Sequence, residues 1–389
     1  MTPSAAGVRA TAPDMAPATA RPTIVPIPGH EVYGFVPYWE MDESIVDHVA
    51  ATDLTTLGVF SVTHRRNGAL DKSQNGYKKI VGDLGARLIR AAQDRGTQVE
   101  LVYTSFGPGK NGQFYSEPAA QARWIEVLVD LVDELGLDGV NVDVEGLPIE
   151  HVLDFGGFVA RLREALRARM PDSEVSVATQ ANELGAAMAA AAAGNGADRI
   201  FLMGYDYHTA SSEPGASAPI DRLDGEPRDL VWSLDLYAAL GVPVERTILG
   251  LPLYGVTWPV IGPGVGSPSI GSGDSWVPRR NLAVFADPSF EPTLEPVESV
   301  EFYAVPMPAV ASASPGRGAS PAASGAASPE PSGWNAVYYD SPRSLAPKLA
   351  LADDRGLAGA GFWAIGYERG LPGYRELIAK FRAGDLKAP

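Results

Sequence analysis

Cysteine is absent from the 389 residues. Disulfides, thiolate nucleophiles and cysteine-ligated zinc or iron–sulfur centres are thereby excluded. Histidine is scarce: His30, His48, His64, His151 and His208 are scattered, with no close pair able to share a metal ion. No metal or other cofactor is expected. Basic residues are outnumbered, 31 Lys plus Arg against 47 Asp plus Glu, for a formal net charge of −16. That balance speaks against a nucleic-acid partner and against an anionic membrane surface. No run of about 18 apolar residues occurs, so no transmembrane helix is expected.

Aromatic residues are missing from the first 29 positions, which hold six prolines instead. Such a stretch buries too little apolar surface to offset its ordering entropy, and it is expected to be a disordered arm. A linker left by a removed export signal or anchor, and an ordinary ragged terminus, both fit it. A second low-complexity stretch, 306–333, is almost wholly Ala, Ser, Pro and Gly. Its composition predicts a mobile surface loop.

What remains is rich enough in apolar residues, 45% of the whole chain, to build a large core. Short β-branched runs alternate with stretches of helical length. The runs are Val32–Pro37, Thr55–Val62, Gln98–Ser105, Asp138–Glu145, Glu174–Gln180, Arg199–Asp206, Thr247–Tyr254 and Gly359–Ile365. Between them, Trp124, Leu128, Leu131 and Leu135 form one helical stripe, and Val152, Phe155, Val159, Leu162 and Leu166 another. Gly96, Gly136 and Gly241 stand where helices are expected to end. Eightfold strand–helix alternation predicts an α/β fold, a (β/α)8 TIM barrel, with a doubly wound open sheet as the rival. Only the last step, Thr247 to Gly359, is too long for one βα unit. It is expected to hold an insertion over about 258–336, irregular or a small β-rich subdomain, within a barrel domain of 30–383.

The chemistry concentrates in Asp138–Gly146, D-G-V-N-V-D-V-E-G. Val140, Val142 and Val144 face one side, and Gly139, Asn141, Asp143 and Glu145 the other. In a barrel strand the valines pack outward on helices and the polar set points inward. Polar groups in that interior cost several kcal/mol unless hydrogen-bonded or near the open end. Glu145 then stands at the C-terminal rim, where barrel active sites lie, with Asp143 about 7 Å below and Asn141 about 7 Å below that. A structural polar layer would seldom stack two carboxyls on successive inward positions, so the pair is expected to be catalytic.

This segment resembles the strand-4 signature D-G-x-D-x-D-x-E of family 18 glycoside hydrolases. Met203-Gly204-Tyr205-Asp206 resembles that family's strand-6 M-x-Y-D, and Gly250 to Gly255 its G-x-P-x-Y-G. Trp363 resembles its strand-8 tryptophan, and Tyr339, Asp340, Ser344 and Lys348 the stretch before it. The likeness spans about residues 30–383 and is nearest to the bacterial spore-cortex and cell-wall N-acetylglucosaminidase branch. One position departs: the family's first inward aspartate is Asn141 here.

The resemblance implies retaining cleavage of β-1,4 bonds beside N-acetylglucosamine. In that class the protein supplies no nucleophile. By motif position, Glu145 is the acid/base, Asp143 holds the acetamido N–H and stabilises an oxazolinium ion, and Tyr205 donates to the acetamido group. Asn141, Met203 and Asp206 shape the same subsite, and Trp363 forms its floor. Asp143, hydrogen-bonded by Asn141 and Tyr205, is expected to stay ionised while Glu145 keeps its proton. Around this core, Phe35, Trp39 and Trp258 are expected to line the sugar cleft. Gln180 and Asn182 are candidate hydroxyl ligands. Tyr33, Tyr38 and Phe106 are further lining candidates, whereas Tyr254 and His208 read as structural. The implied partner is a polysaccharide or oligosaccharide containing N-acetylglucosamine, and the implied location is extracellular or in the cell envelope. A non-catalytic glycan-binding protein on the same barrel is the competing reading.

Overall fold

The computed structural model describes residues 29–307 and 333–386. The arm 1–28 and nearly all of the stretch 306–333 lie outside the described residues. Strands β1 (Glu31–Pro37), β2 (Thr56–Val62), β3 (Gln98–Phe106), β4 (Gly139–Glu145), β5 (Glu174–Gln180), β6 (Arg199–Met203) and β7 (Thr247–Pro252) follow one another with helices between. The insertion then adds β8 (Gly255–Val260), β9 (Asp274–Trp276), β10 (Thr293–Glu295), β11 (Val300–Pro306) and β12 (Trp334–Tyr339), after which β13 (Gly359–Trp363) closes the first set. The closed order is β1-β13-β7-β6-β5-β4-β3-β2, all parallel. The expected (β/α)8 barrel is present.

The helices are α1 (Glu43–Ala50), α2 (Asn75–Ile80), α3 (Asp83–Gln93), α4 (Pro108–Tyr115), α5 (Pro118–Leu135), α6 (Val152–Arg169), α7 (Glu183–Gly194), α8 (Leu230–Ala239), α9 (Leu282–Phe285), α10 (Pro342–Asp354) and α11 (Tyr374–Ala383). On α5, Trp124, Leu128 and Leu131 are buried along one stripe, and Gly136 ends the helix at φ 64°. On α6 the buried stripe is Phe155, Val159, Leu162 and Leu166. Both stripes join Val140, Val142 and Val144 in one core between the strands and the helical ring. Each valine so buried contributes about 1.5–3 kcal/mol.

A second apolar cluster fills the barrel itself: Tyr33, Phe35, Phe60, Val102, Ala178, Phe201 and Ile248. Phe201 reaches into the lumen because two neighbouring strands carry glycine where it passes. A Cβ on Gly250 or on Gly361 would stand 2.3 or 2.4 Å from its ring. This plug closes the lower barrel, so polar groups above it open only toward the C-terminal rim.

Of the two forms expected for the insertion, the β-rich one is found. It is a five-stranded antiparallel sheet, order β10-β11-β12-β8-β9, that begins at Gly255 and ends at Tyr339. One face buries Val256, Trp258, Val260, Phe302 and Tyr338. The other packs Trp276, Val337 and Tyr339 against Phe285, Phe290 and Tyr303. Glycine and proline dominate the composition here and mask an alternation that aromatic cross-strand pairs complete. Below the sheet, the Ser344 hydroxyl (2.7 Å) and the Lys348 ammonium (2.6 Å) both donate to Asp340 Oδ1. All three are buried. This part of the family-like stretch before β13 is thus a structural clamp that fixes α10.

Candidate functional site

The polar face of β4 points into the upper lumen as its alternation predicts. Asn141 is fully buried, Asp143 is 6% exposed and Glu145 is half-buried at the rim. They sit under a cavity of about 520 Å³. Asp143, Glu145, Met203, Tyr205 and Asp206 line it, together with an aromatic wall of Phe35, Trp39, Phe60 and Trp363. The Trp363 ring lies 4.8 Å from Phe60 and 5.7 Å from Phe35, centroid to centroid. Trp39 presents 44% of its surface and Phe106 49%. Both offer a flat apolar face to a ligand ring.

Gln180 ends β5 beside the acid. Its amide donates to Glu145 Oε2 at 2.9 Å, which leaves the other carboxyl oxygen to carry a proton. The carbonyl of Glu145 accepts from Asn111 Nδ2 at 2.7 Å and from Gly107 N at 2.9 Å. Nothing in the sequence pointed to Asn111, because the short helix α4 that carries it has no motif signal. Asp206 adopts φ 64°, a left-handed conformation that aspartate tolerates better than most residues. It stands past the end of β6, which stops at Met203 rather than at Asp206 as expected. Its carboxyl accepts the Tyr254 hydroxyl, and its backbone N–H donates to Ser217 Oγ at 3.1 Å. Tyr254, read from sequence as core, is therefore also the group that orients Asp206.

The electrostatics correct one expectation. Burial raises the pKa of Glu145, the Asp206 charge adds to the rise, and the Gln180 hydrogen bond opposes it. Burial, then the charge of Glu145, pushes Asp143 well above the usual carboxylate range. Asn141 does not hydrogen-bond Asp143; its amide donates to Ser176 Oγ at 2.7 Å, and Asp143 Oδ1 has no partner. Both carboxyls are thus shifted toward the protonated form. The expected ionised Asp143 lacks the donors that such a state needs.

Trp258 is not part of the cavity. It is fully buried in the insertion sheet, and its indole N–H donates to the Ser212 carbonyl at 3.0 Å. Its sequence position after β7 was right, but Tyr338 on the adjacent strand β12 packs against its ring, 5.7 Å between centroids. Asn182 caps α7 by accepting from Gly185 N at 2.8 Å, so its side chain is committed to the helix end. Tyr33 lies below the site, with its hydroxyl on Glu100 at 2.7 Å. His208 is buried, with Nδ1 against the Glu213 carbonyl at 2.8 Å. Tyr38 does line the cavity.

Sequence reasoning missed the part of the wall that follows β2 and β3. Thr63, Gln74 and Lys110 come from the segments after β2 and β3 and line the same cavity. Lys110 Nζ donates to Thr63 Oγ1 at 2.6 Å, and Thr63 donates to the Thr104 carbonyl at 2.6 Å. Among the described lining residues Lys110 is the one cation, and no carboxylate there pairs with it. Among the described residues no cluster of three or more His, Asp or Glu could hold a metal ion, and no helix is long and apolar enough to cross a membrane.

Solved structures share this architecture. The spore cortex-lytic enzyme SleL of Bacillus cereus superposes with a TM-score of 0.67 at 18% identity, over 90% of this chain and 74% of that one. A class V chitinase of Nicotiana tobaccum superposes with a TM-score of 0.72 at 15% identity, over 90% and 99%. A family 18 N-acetylglucosaminidase of Paenibacillus barengoltzii gives 0.68 at 19% identity, over 91% and 99%. By sequence, the Lotus japonicus class V chitinase is 24% identical over 70% of this chain and 68% of its own length. The Bacillus subtilis protein YdhD, which is named for a sporulation-specific glycosylase, is 26% identical over 56% of this chain. The chain spans half the length of that relative, 50%, and less of several others. The family model for glycosyl hydrolases family 18 matches residues 34–368, and the chain belongs to that family.

Proposed function

We propose that this protein is a retaining glycosidase that cleaves β-1,4 bonds next to N-acetylglucosamine, with the substrate's own acetamido oxygen as nucleophile. The observation that carries the reading is the stacking of Asp143 and Glu145 on one inward strand face, under a wall of Trp363, Trp39 and Phe35. Glu145, protonated and steadied by Gln180, gives its proton to the leaving oxygen. The acetamido oxygen closes on the anomeric carbon, and the departing sugar leaves with the proton. Asp143 lies deeper and accepts the acetamido N–H, which stabilises the cationic ring. The Tyr205 hydroxyl, flanking Asp143, serves the acetamido oxygen. Water, deprotonated by Glu145, then reopens the ring with the original configuration. Trp363 forms the floor under the sugar, and Met203 and Asp206 bound the acetamido pocket.

The substrate class that the cavity favours is a peptidoglycan-type glycan, in which the sugar next to N-acetylglucosamine bears a carboxylate. Lys110 is a half-buried ammonium in the wall of the cavity that holds the carboxyls, with a single hydrogen bond to Thr63 and donors to spare. A chain of net charge −16 would otherwise repel such a substrate. Polymers of this kind lie outside the cytoplasm, so the working place is the cell envelope or beyond.

The test is hydrolysis of matched oligomers, chitin-type and peptidoglycan-type, with products identified by mass and anomers by NMR. Retained configuration, loss of turnover in Glu145→Gln and preference for the carboxylate-bearing strand are expected. Tight binding of both oligomers without any cleavage would make the protein a glycan-binding module instead.

A further inference from the structure

Beneath the site lies a carboxyl that the mechanism above does not use. Glu100, on β3, is 2% exposed inside the barrel. Its Oε2 accepts two hydroxyls, Tyr33 at 2.7 Å and Ser176. Ser176 Oγ in turn accepts the Asn141 amide at 2.7 Å. The chain of donors runs one way: Asn141 N–H to Ser176, Ser176 O–H to Glu100. A serine hydroxyl has one proton. While Glu100 takes it, Ser176 can only accept from Asn141, so the amide must turn its NH2 toward Ser176. Its other end, Oδ1, is then aimed elsewhere. It is buried and unpartnered, as is Asp143 Oδ1.

Asn141 and Asp143 are successive inward residues of β4, about 6–7 Å apart at Cα. Two buried acceptors without donors are costly. One proton on Asp143, donated to Asn141 Oδ1, satisfies both. We infer that Glu100 is a positioning residue: through Ser176 it locks the Asn141 amide with its acceptor end toward Asp143, and so sets the proton affinity of Asp143 before substrate enters. The inference rests on the reading of Asp143 given under the proposed function.

The role needs an acceptor at Glu100, not its charge. Burial pushes the Glu100 carboxyl up to about 8, against the Ser176 and Tyr33 bonds. A proton on its other oxygen leaves Oε2 accepting as before. The surrounding charges are accounted for. Glu174 from β5 and Asp198 just before β6 push the Glu100 carboxyl up from the lower end of the barrel. Asp198 is itself paired with Arg163 (3.3 Å) and Arg167 (2.9 Å), and Arg199 with Glu31. Toward the rim, Asp143 faces Glu145 and Tyr205. Tyr33 is the remaining titratable group on Glu100, and its phenol is pushed far up by burial.

The experiment is a carbon-13 NMR titration of the aspartate carboxyls in the intact chain, with Asp143 assigned by its loss in Asp143→Asn. Glu100→Gln keeps a carbonyl acceptor and is expected to leave the Asp143 midpoint within about 0.3 pH unit. Glu100→Leu frees the Ser176 proton to point at Asn141, which turns the amide and offers Asp143 a donor. Its midpoint is expected to fall by about one pH unit or more. Ser176→Ala removes the relay with less disturbance and should shift the midpoint the same way, so it carries the test if the leucine variant fails to fold. An unmoved midpoint in folded Glu100→Leu or Ser176→Ala overturns the inference, as does a Glu100→Gln shift equal to that of leucine. Turnover on N-acetylglucosamine oligomers is measured on the same samples. Its absence in the wild type would count against the proposed function, while the titration would still decide the role of Glu100.

Discussion

The barrel lumen and the insertion sheet are built from similar residue types and satisfy them differently. In the sheet, Trp276, Tyr303, Tyr339, Phe285 and Phe290 cover one another, and Trp258 finds a carbonyl for its N–H. In the upper lumen, aromatic rings stop at the cavity wall, and Asn141 Oδ1 and Asp143 Oδ1 are buried with no partner. Unmet hydrogen bonds cost stability. The sheet completes its own set, whereas these two oxygens, on the strand face beneath the cavity, are left to a shared proton or to a ligand.

Glu145→Gln should break the lumen side of this contrast most severely. It keeps the Gln180 contact in shape but has no proton to give, and kcat should fall about 10³- to 10⁴-fold with little change in melting temperature. Trp258→Ala should break the other side. It leaves a cavity in the insertion sheet and should cost about 3–5 kcal/mol in chemical unfolding, while kcat of the surviving folded protein stays within a few-fold.

A third effect carries a sign. Asp143 has its pKa raised on folding, so between the ordinary carboxylate range and the raised value the folded state binds more protons than the unfolded chain. Stability is then full below about pH 4 and falls as pH rises through that window. Asp143→Asn does not titrate. It should be more stable than wild type at neutral pH by about 1–3 kcal/mol, with the gain vanishing toward pH 3 to 4. Equal unfolding curves at pH 4 and pH 7 for the pair would refute this. The smallest effect concerns selectivity: Lys110→Met should lower kcat/KM on a carboxylate-bearing strand about tenfold and leave the neutral chitin-type oligomer nearly unchanged.

How much of this was legible in the sequence follows from the range of the interactions involved. The inward set of β4 was readable because strand alternation is local. The same holds for the helix stripes of α5 and α6. Gln180 was placed at a strand end, yet its partner Glu145 comes from a neighbouring strand through barrel register. Trp258 was misassigned because what covers it arrives from β12, far along the chain. Asn141 was taken to serve Asp143, its neighbour on the strand, whereas Ser176 on the adjacent strand competes for its N–H and prevails. Lys110 and Asn111 were invisible because α4, two turns long, owes its place over the cavity to three-dimensional closure, not to any period.

The insertion also enters and leaves the barrel side by side, since Gly255 and Tyr339 face each other in register on β8 and β12. Its two ends therefore form the stem of a long hairpin. Lengthening or trimming what hangs beyond that stem changes chain-closure entropy only slowly, by about 0.6 kcal/mol per doubling. It pulls on neither Trp363 nor β7. The architecture thus separates a barrel of fixed geometry from an appendage whose size can change, so that new reach over a polymer can be acquired without retuning the acid below.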